Sequence, residues 1–290
     1  MGEVALERVV NEEVTVVLLG AGRVATHLAP ALVGAGYKLL QIWSRTETSA
    51  RTLAQSLGVP HTDNLDAVVP DADVYIACVA DGALPEVARK VVSHSLQQRQ
   101  VGIDGQDASS GAGRGSLFLH TAGSVSMDVW REAGATHYGI LYPLQTFSKE
   151  RAVNMHDVSL FIEASDAKAK VKTEALARRL SEKVFWADSE RRARLHIAAV
   201  FACNFTNAMY DVAHRLLASD NISFDVLLPL IDETAKKVHT LTPHEAQTGP
   251  AVRGDENVMQ RHIDALAEDK DLQQLYQAIS QLIQENTHNS

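Results

Sequence analysis

The sequence predicts an α/β fold: a doubly wound, mostly parallel sheet over residues 1–165, followed by an all-α region over residues 166–290. Three observations predict it. Residues 14–19 are a β-branched and leucine run that ends in Gly20-Ala21-Gly22-Arg23-Val24-Ala25, a glycine-rich turn opening a helix. Apolar strand-like runs and helical patterns alternate through the first half, as a parallel sheet covered on both faces requires. Beyond residue 165 the patterns are helical, apart from a short apolar stretch at 184–186.

Taken in order, the strands are expected at 14–19, 38–43, 74–79, 117–120, 137–142 and 158–164. Helices are expected at 24–36, 48–57 and 85–93 between them. Residues 95–116 are rich in Gly, Ser and Gln without apolar periodicity, and they read as a flexible surface insertion. The second half carries helical patterns at 166–180, 189–218, 224–241, 258–267 and 272–285, enough chain for a core of its own.

The turn after the first strand carries the first chemical signal. Gly20 permits a tight turn, Gly22 lets the backbone approach a pyrophosphate, and the small Ala25 lets helix and strand pack closely. The N–H groups of Ala21 to Val24, at the helix start, would face the anion. The second strand ends in Ser44-Arg45-Thr46, where an NAD site usually places a carboxylate for the ribose 2′-hydroxyl. Donors and a cation suit a 2′-phosphate instead, so the expected cofactor is NADP in a Rossmann domain.

Composition bounds the alternatives. A net charge of −9 argues against non-specific nucleic-acid binding, and no apolar run nears the ~18 residues of a membrane span. The first residues are acidic and lack a signal-peptide core, so the expected location is cytoplasmic. Cys78 and Cys203 lie far apart in apolar surroundings; both read as buried thiols, with no disulfide or metal spacing.

Residues 189–218 place Arg192, His196, Asn204, Asn207, Asp211 and His214 on one side of a helix at ~100° per residue. Val200 and Cys203 interrupt that side, so it is not a solvated charged face. It reads either as a static buried network or as a site open to ligand, with His196 the group titrating near neutral pH. His120-Thr121-Ala122-Gly123-Ser124 follows a strand end, where doubly wound sheets bind ligands. Gln145 follows another. In the polar loop 247–255, Arg253 either forks to a substrate carboxylate or pairs with Asp255 or Glu256.

The segments GAGRVATHLA, WSRT, HTAGS, YPLQTFS, LHIAAVFACNFTNAMY, PLIDET and QTGPAVRGD resemble a bacterial family described as Rossmann-like, short-subunit dehydrogenase-like oxidoreductases with a C-terminal domain of unknown function. The architecture is similar to that of the β-hydroxyacid dehydrogenases and pyrroline carboxylate reductase. The resemblance implies cofactor contacts from Val79, Ala80 and Asp81, and a helical domain that closes the substrate cleft and supports a homodimer. It also exposes departures. Relatives carry a catalytic Lys on the helix corresponding to 189–218, which has none here; Ala80 stands where Pro is usual, and Ala122 where Ser is usual.

The expectation is therefore an NADP-dependent oxidoreductase moving a hydride to or from a small carbonyl, hydroxyl or imine. His196 is the candidate acid, with Asn204 and Asn207 orienting and His120 the alternative acid. Ser124, Gln145, Gln247 and Arg253 are candidate substrate contacts, and no metal is expected. A non-catalytic NADP sensor and a prephenate-dehydrogenase-like decarboxylase are the rival readings.

Overall fold

The computed structural model describes residues 13–103 and 115–288. The chain divides into two compact units, residues 1–206 and 207–290. The division falls well after residue 165 because the sheet continues past it.

The first unit is built on one eight-stranded sheet. In chain order its strands are β1 (Thr15–Leu19), β2 (Lys38–Trp43), β3 (His61–Thr62), β4 (Val74–Ala77), β5 (Leu117–His120), β6 (His137–Leu144), β7 (Ser159–Ala164) and β8 (Val184–Trp186). They lie in the order β3-β2-β1-β4-β5-β6-β7-β8. All neighbouring pairs are parallel except β6 with β7. The helices are α1 (Arg23–Gly34), α2 (Glu47–Leu57), α3 (Leu84–Ile103), α4 (Asp128–Glu132), α5 (Ala167–Leu180) and α6 (Ser189–Ala199).

Alternation along β1 shows how both faces are covered. Val16 and Leu18 join one buried cluster with Leu28 and Leu32 of α1 and Leu176 of α5. Val17 and Leu19 join another with Val87 and Val91 of α3 and Trp130 of α4. Strands buried on both faces read as continuous apolar runs, which is why β1, β4 and β5 were visible in the sequence.

Four expectations need correction. The stretch at 184–186 is not a break in a helical domain but β8, paired with β7. The supposed insertion begins too early: α3 continues to Ile103, and Ser95 is buried because the i, i+4 and i+7 spacing from Ala88 and Val91 keeps it on the sheet-facing side. Ser116 is also buried and donates to Ala72 O at 2.6 Å. Residues 104–114 lie outside the described residues. Cys203 is half-buried rather than buried, and both cysteines are free thiols. The two-residue β3 and the five-residue α4 were too short to carry a period.

The fourth correction concerns the helix at 189–218. α6 gives way to a π-helical turn over Val200–Phe205, where the Thr206 hydroxyl donates to Phe201 O, five residues back, at 3.1 Å. A π turn holds more residues than an α turn, so a wheel drawn at ~100° per residue does not carry across it. Asn204 is exposed, as are Phe201 and Phe205. Of the stripe only its start is tied down, Arg192 to Glu163 and Val125 and His196 to Tyr142; beyond the π turn Asn207, Asp211 and His214 are exposed.

The second unit contains α7 (Thr206–Ala218, beginning at the last residue of the first unit), α8 (Leu228–Lys237), α9 (Glu256–Ala265) and α10 (Lys270–His288). α8 ends at Lys237, short of the expected 241. Within this unit Met209, Leu216, Pro250, Leu275, Tyr276 and Ile279 line an apolar cavity of about 250 Å³. No helix among the described residues is long and apolar enough to cross a membrane.

Candidate active site

A cavity of about 520 Å³ opens past the C-terminal ends of β1, β2 and β4. Gly20 leaves β1 at φ +120°, and a Cβ there would collide with the Cys78 carbonyl of the chain after β4. Only glycine serves both needs, the positive φ and the close approach. Gly22 differs. Its φ is ordinary at −82°, yet beyond its immediate chain neighbours nothing lies within 4 Å of where its Cβ would be. As the N-cap of α1 it offers no side-chain cap, and the first turn carries no acid. Free helix N–H groups facing open space fit a pyrophosphate.

Gly20, Ala21, Gly22, Ser44, Arg45, Thr46, Val79 and Ala80 all line this cavity. Arg23, Val24 and Asp81 do not. Arg23 is the first residue of α1 and points to solvent, and Asp81 opens a short 3₁₀ turn, where it accepts a hydrogen bond from the Ser124 hydroxyl. Glu47, the first carboxylate in the chain after β2, is paired with Arg51. Lys90 adds a second cation to the cavity. It was missed, although Val87 and Lys90 lie three residues apart on one face of α3. Asp63 and Glu86 also line the space, with Glu86 3.9 Å from Lys90.

The loop after β5 brings a second group together. The Tyr142 hydroxyl, near the end of β6, lies 3.1 Å from Nδ1 of His196 on α6. Arg192, one turn before His196, is 1% exposed; it donates to Glu163 on β7 and to Val125 O in the loop. Burial raises the pKa of the Tyr142 hydroxyl; nearby Arg192 opposes that shift and Asp81 adds to it.

His120 does not face the cleft. It is fully buried beside Trp130, its Nδ1 accepts from the Ala122 amide at 3.2 Å, and its Nε2 lies 3.4 Å from Ser126 O. Burial, reinforced by Arg192, pushes its pKa down to about 3. A neutral imidazole at that position shapes the loop. Gln145 is exposed, and its Oε1 accepts from the adjacent Thr146 amide. In the second unit Asn207 and Arg253 are exposed, and Gln247 donates to Thr248 O. Arg253 has no ion pair with Asp255 or Glu256 among the described residues; Asp255 instead caps α9 through the Val258 amide. No cluster of His, Cys, Asp or Glu suited to a metal occurs among the described residues.

Comparison with known proteins follows these features. The family described as NADP oxidoreductase, coenzyme F420-dependent, matches residues 15–105, and the Domain of unknown function (DUF2520) matches residues 158–283. No curated protein matches the chain. A Bacteroides fragilis protein assigned as an NADP oxidoreductase is 46% identical, with a TM-score of 0.84 over 94% of this chain and 98% of that one. An imine reductase from Myxococcus stipitatus, solved with NADP⁺, is 16% identical with a TM-score of 0.62 over 95% of each chain. A pyrroline-5-carboxylate reductase from Coxiella burnetii is 14% identical with a TM-score of 0.54, covering 96% of this chain and 98% of that one. The last two show a shared fold. The identity to the Bacteroides protein over nearly the whole length shows more: the chain belongs to the same family, NADP oxidoreductases that join a Rossmann-type domain to a C-terminal domain of unknown function.

Proposed function

We propose that the chain is an NADP-dependent reductase or dehydrogenase of a small carbonyl, hydroxyl or imine compound, in kinship with the short-subunit dehydrogenase-like group. The observation that carries this is the cavity past β1, β2 and β4, with open space over Gly22 at one end of α1 and the cations Arg45 and Lys90 at its wall. The bound nicotinamide would supply hydride chemistry. The chain's own residues bind and orient. Gly20, Ala21 and Gly22 hold the pyrophosphate, with the Arg23 and Val24 amides at the start of α1 behind them; Ser44, Arg45 and Thr46 hold the 2′-phosphate, and Val79 and Ala80 form the wall after β4, with Asp81 in the turn next to it. His196 manages the proton and Ser124 fixes Asp81; the exposed Asn204 and Gln145 of the first unit, and Asn207, Gln247 and Arg253 of the second, remain the candidate orienting and substrate groups of their own units.

In this reading residues 1–165 serve the cofactor and 166–290 the substrate and a homodimer contact, in a cytoplasmic protein. Support for the homodimer comes from apolar side chains left open on the single chain. Ile197 is 58% exposed, Phe201 61% and Leu230 63%. The missing lysine on α6 supports one rival, an NADP sensor without turnover.

The test is NADPH oxidation against a panel of cyclic imines, ketones and aldehydes, beside NADPH affinity by fluorescence. The expected result is affinity below ~10 μM and turnover of at least one class at ~1 s⁻¹ or faster. Tight NADPH binding with no turnover would favour the sensor.

A further inference from the structure

We propose that Tyr142 is the proton donor of this site and that His196 restores its proton. The assignment rests on the reductase reading above. The hydroxyl of Tyr142 and Nδ1 of His196 lie 3.1 Å apart, their rings meeting edge to face at 69°.

Three features hold the pair in place. The first is Gly123: a Cβ added there would lie 2.7 Å from His196 Nδ1 and 2.9 Å from Tyr142 Cζ. The loop backbone passes directly against both rings, and any side chain would part them. The second is Arg192, buried one turn before His196, which ties α6 to Glu163 on β7 and to Val125 in the same loop. The third is the hydrogen bond from Ser124 to Asp81, which ties the same loop to the turn after β4. The other polar groups nearby are committed: His120 is buried and neutral, and the Ser124 hydroxyl serves Asp81.

The charged and titratable groups facing Tyr142 are Arg192, Asp81 and His196. Burial, the largest influence, keeps the phenol protonated through neutral pH, and a protonated phenol is what a donor requires. In reduction, the bound nicotinamide would supply a hydride to the substrate carbon. The C=O or C=N π pair moves onto oxygen or nitrogen, and the Tyr142 O–H proton bonds to that atom. The phenolate left behind would take the Nδ1 proton of His196 in its doubly protonated, imidazolium form, leaving a neutral imidazole that regains its proton from solvent.

The experiment has two parts, in the full-length protein. The first does not depend on turnover: ¹⁵N-resolved NMR of the histidine rings compares unmodified protein with Tyr142→Phe. The His196 Nδ1 resonance should move on loss of the hydroxyl, and Gly123→Ala should move it as well. An unchanged resonance in Tyr142→Phe overturns the pair. The second measures turnover of whichever panel member the unmodified protein reduces. Tyr142→Phe should lower kcat ~10²- to 10⁴-fold with NADPH affinity and melting temperature preserved. His196→Gln should lower it less, with KM and NADPH affinity unchanged. A Tyr142→Phe enzyme within threefold of the unmodified rate overturns the donor role. If His196 senses the hydroxyl but no panel member is reduced, the reductase reading fails and the donor role with it, while the pair itself stands.

Discussion

At the scale of single residues, the cofactor end of the site is governed by charge. Arg45 is exposed at the cavity wall and Lys90 shares it, while Glu47 is held by Arg51. A charge-assisted hydrogen bond contributes ~1.5–3 kcal/mol, so NADPH should bind roughly 10- to 100-fold more tightly than NADH. Arg45→Ala should remove most of that preference and leave NADH affinity nearly unchanged, as measured by fluorescence titration of both cofactors. Equal affinities in the unmodified protein would refute the 2′-phosphate role. The glycine and Ser-Arg-Thr positions were legible because they follow strands whose apolar runs are unmistakable. His120 was not: a strand end tells that a residue is near the cleft, while packing against Trp130 decides that it is buried.

Elements were legible in proportion to their length and period. β2 and β5 run over the expected residues, and α1, α2 and α5 lie within two residues of the expected bounds. The failures have physical causes. α3 runs on into Gln-rich sequence because polar residues are tolerated on its outer side. The π turn at Val200–Phe205 leaves no mark on composition. Helix ends are more readable. Asp166 caps α5, accepting from the Lys168 and Ala169 amides at 2.8 and 3.1 Å, and also meets His137 Nδ1 at 2.9 Å. Burial pushes its carboxyl pKa up, but the hydrogen bonds from His137, Ala169, Ser165 and Lys168 outweigh that and hold it well below the ordinary range. A depressed carboxyl stabilises the fold above the unfolded value near ~3.9 and ceases to as pH falls through the folded value. Asp166→Ala should therefore cost ~1–2 kcal/mol at pH 7 by denaturant unfolding, and the difference should shrink progressively below about pH 4. A constant difference down to pH 2 would show that the cap acts without its charge.

At the scale of the whole molecule, each unit leaves apolar surface open. Ile197, Phe201 and Phe205 are exposed at the end of the first unit, and Val226 and Leu230 in the second. Exposed apolar side chains in such number mark an interaction surface more often than a free one. Sedimentation equilibrium should give twice the 31.5 kDa chain mass at micromolar concentration. The double substitution Phe201→Glu, Phe205→Glu should shift it toward a single chain mass. A single chain mass for the unmodified protein at ~100 μM would refute the dimer, since interfaces of ordinary size hold at that concentration.

By itself the sequence determined the doubly wound sheet, the dinucleotide turn and the cation at the end of β2. Each depends on residues adjacent in the chain, where strand period, glycine spacing and helix start are local properties. It could not show that Tyr142 on β6, His196 on α6 and Gly123 after β5 converge, because they are brought together by strand order and by the Arg192 tie across β7. Nor could it show that β8 joins the sheet, since a three-residue run acquires meaning only from the strand it pairs with. Contacts between residues 54 positions apart are made by the packing of the sheet, and tertiary structure alone decides them.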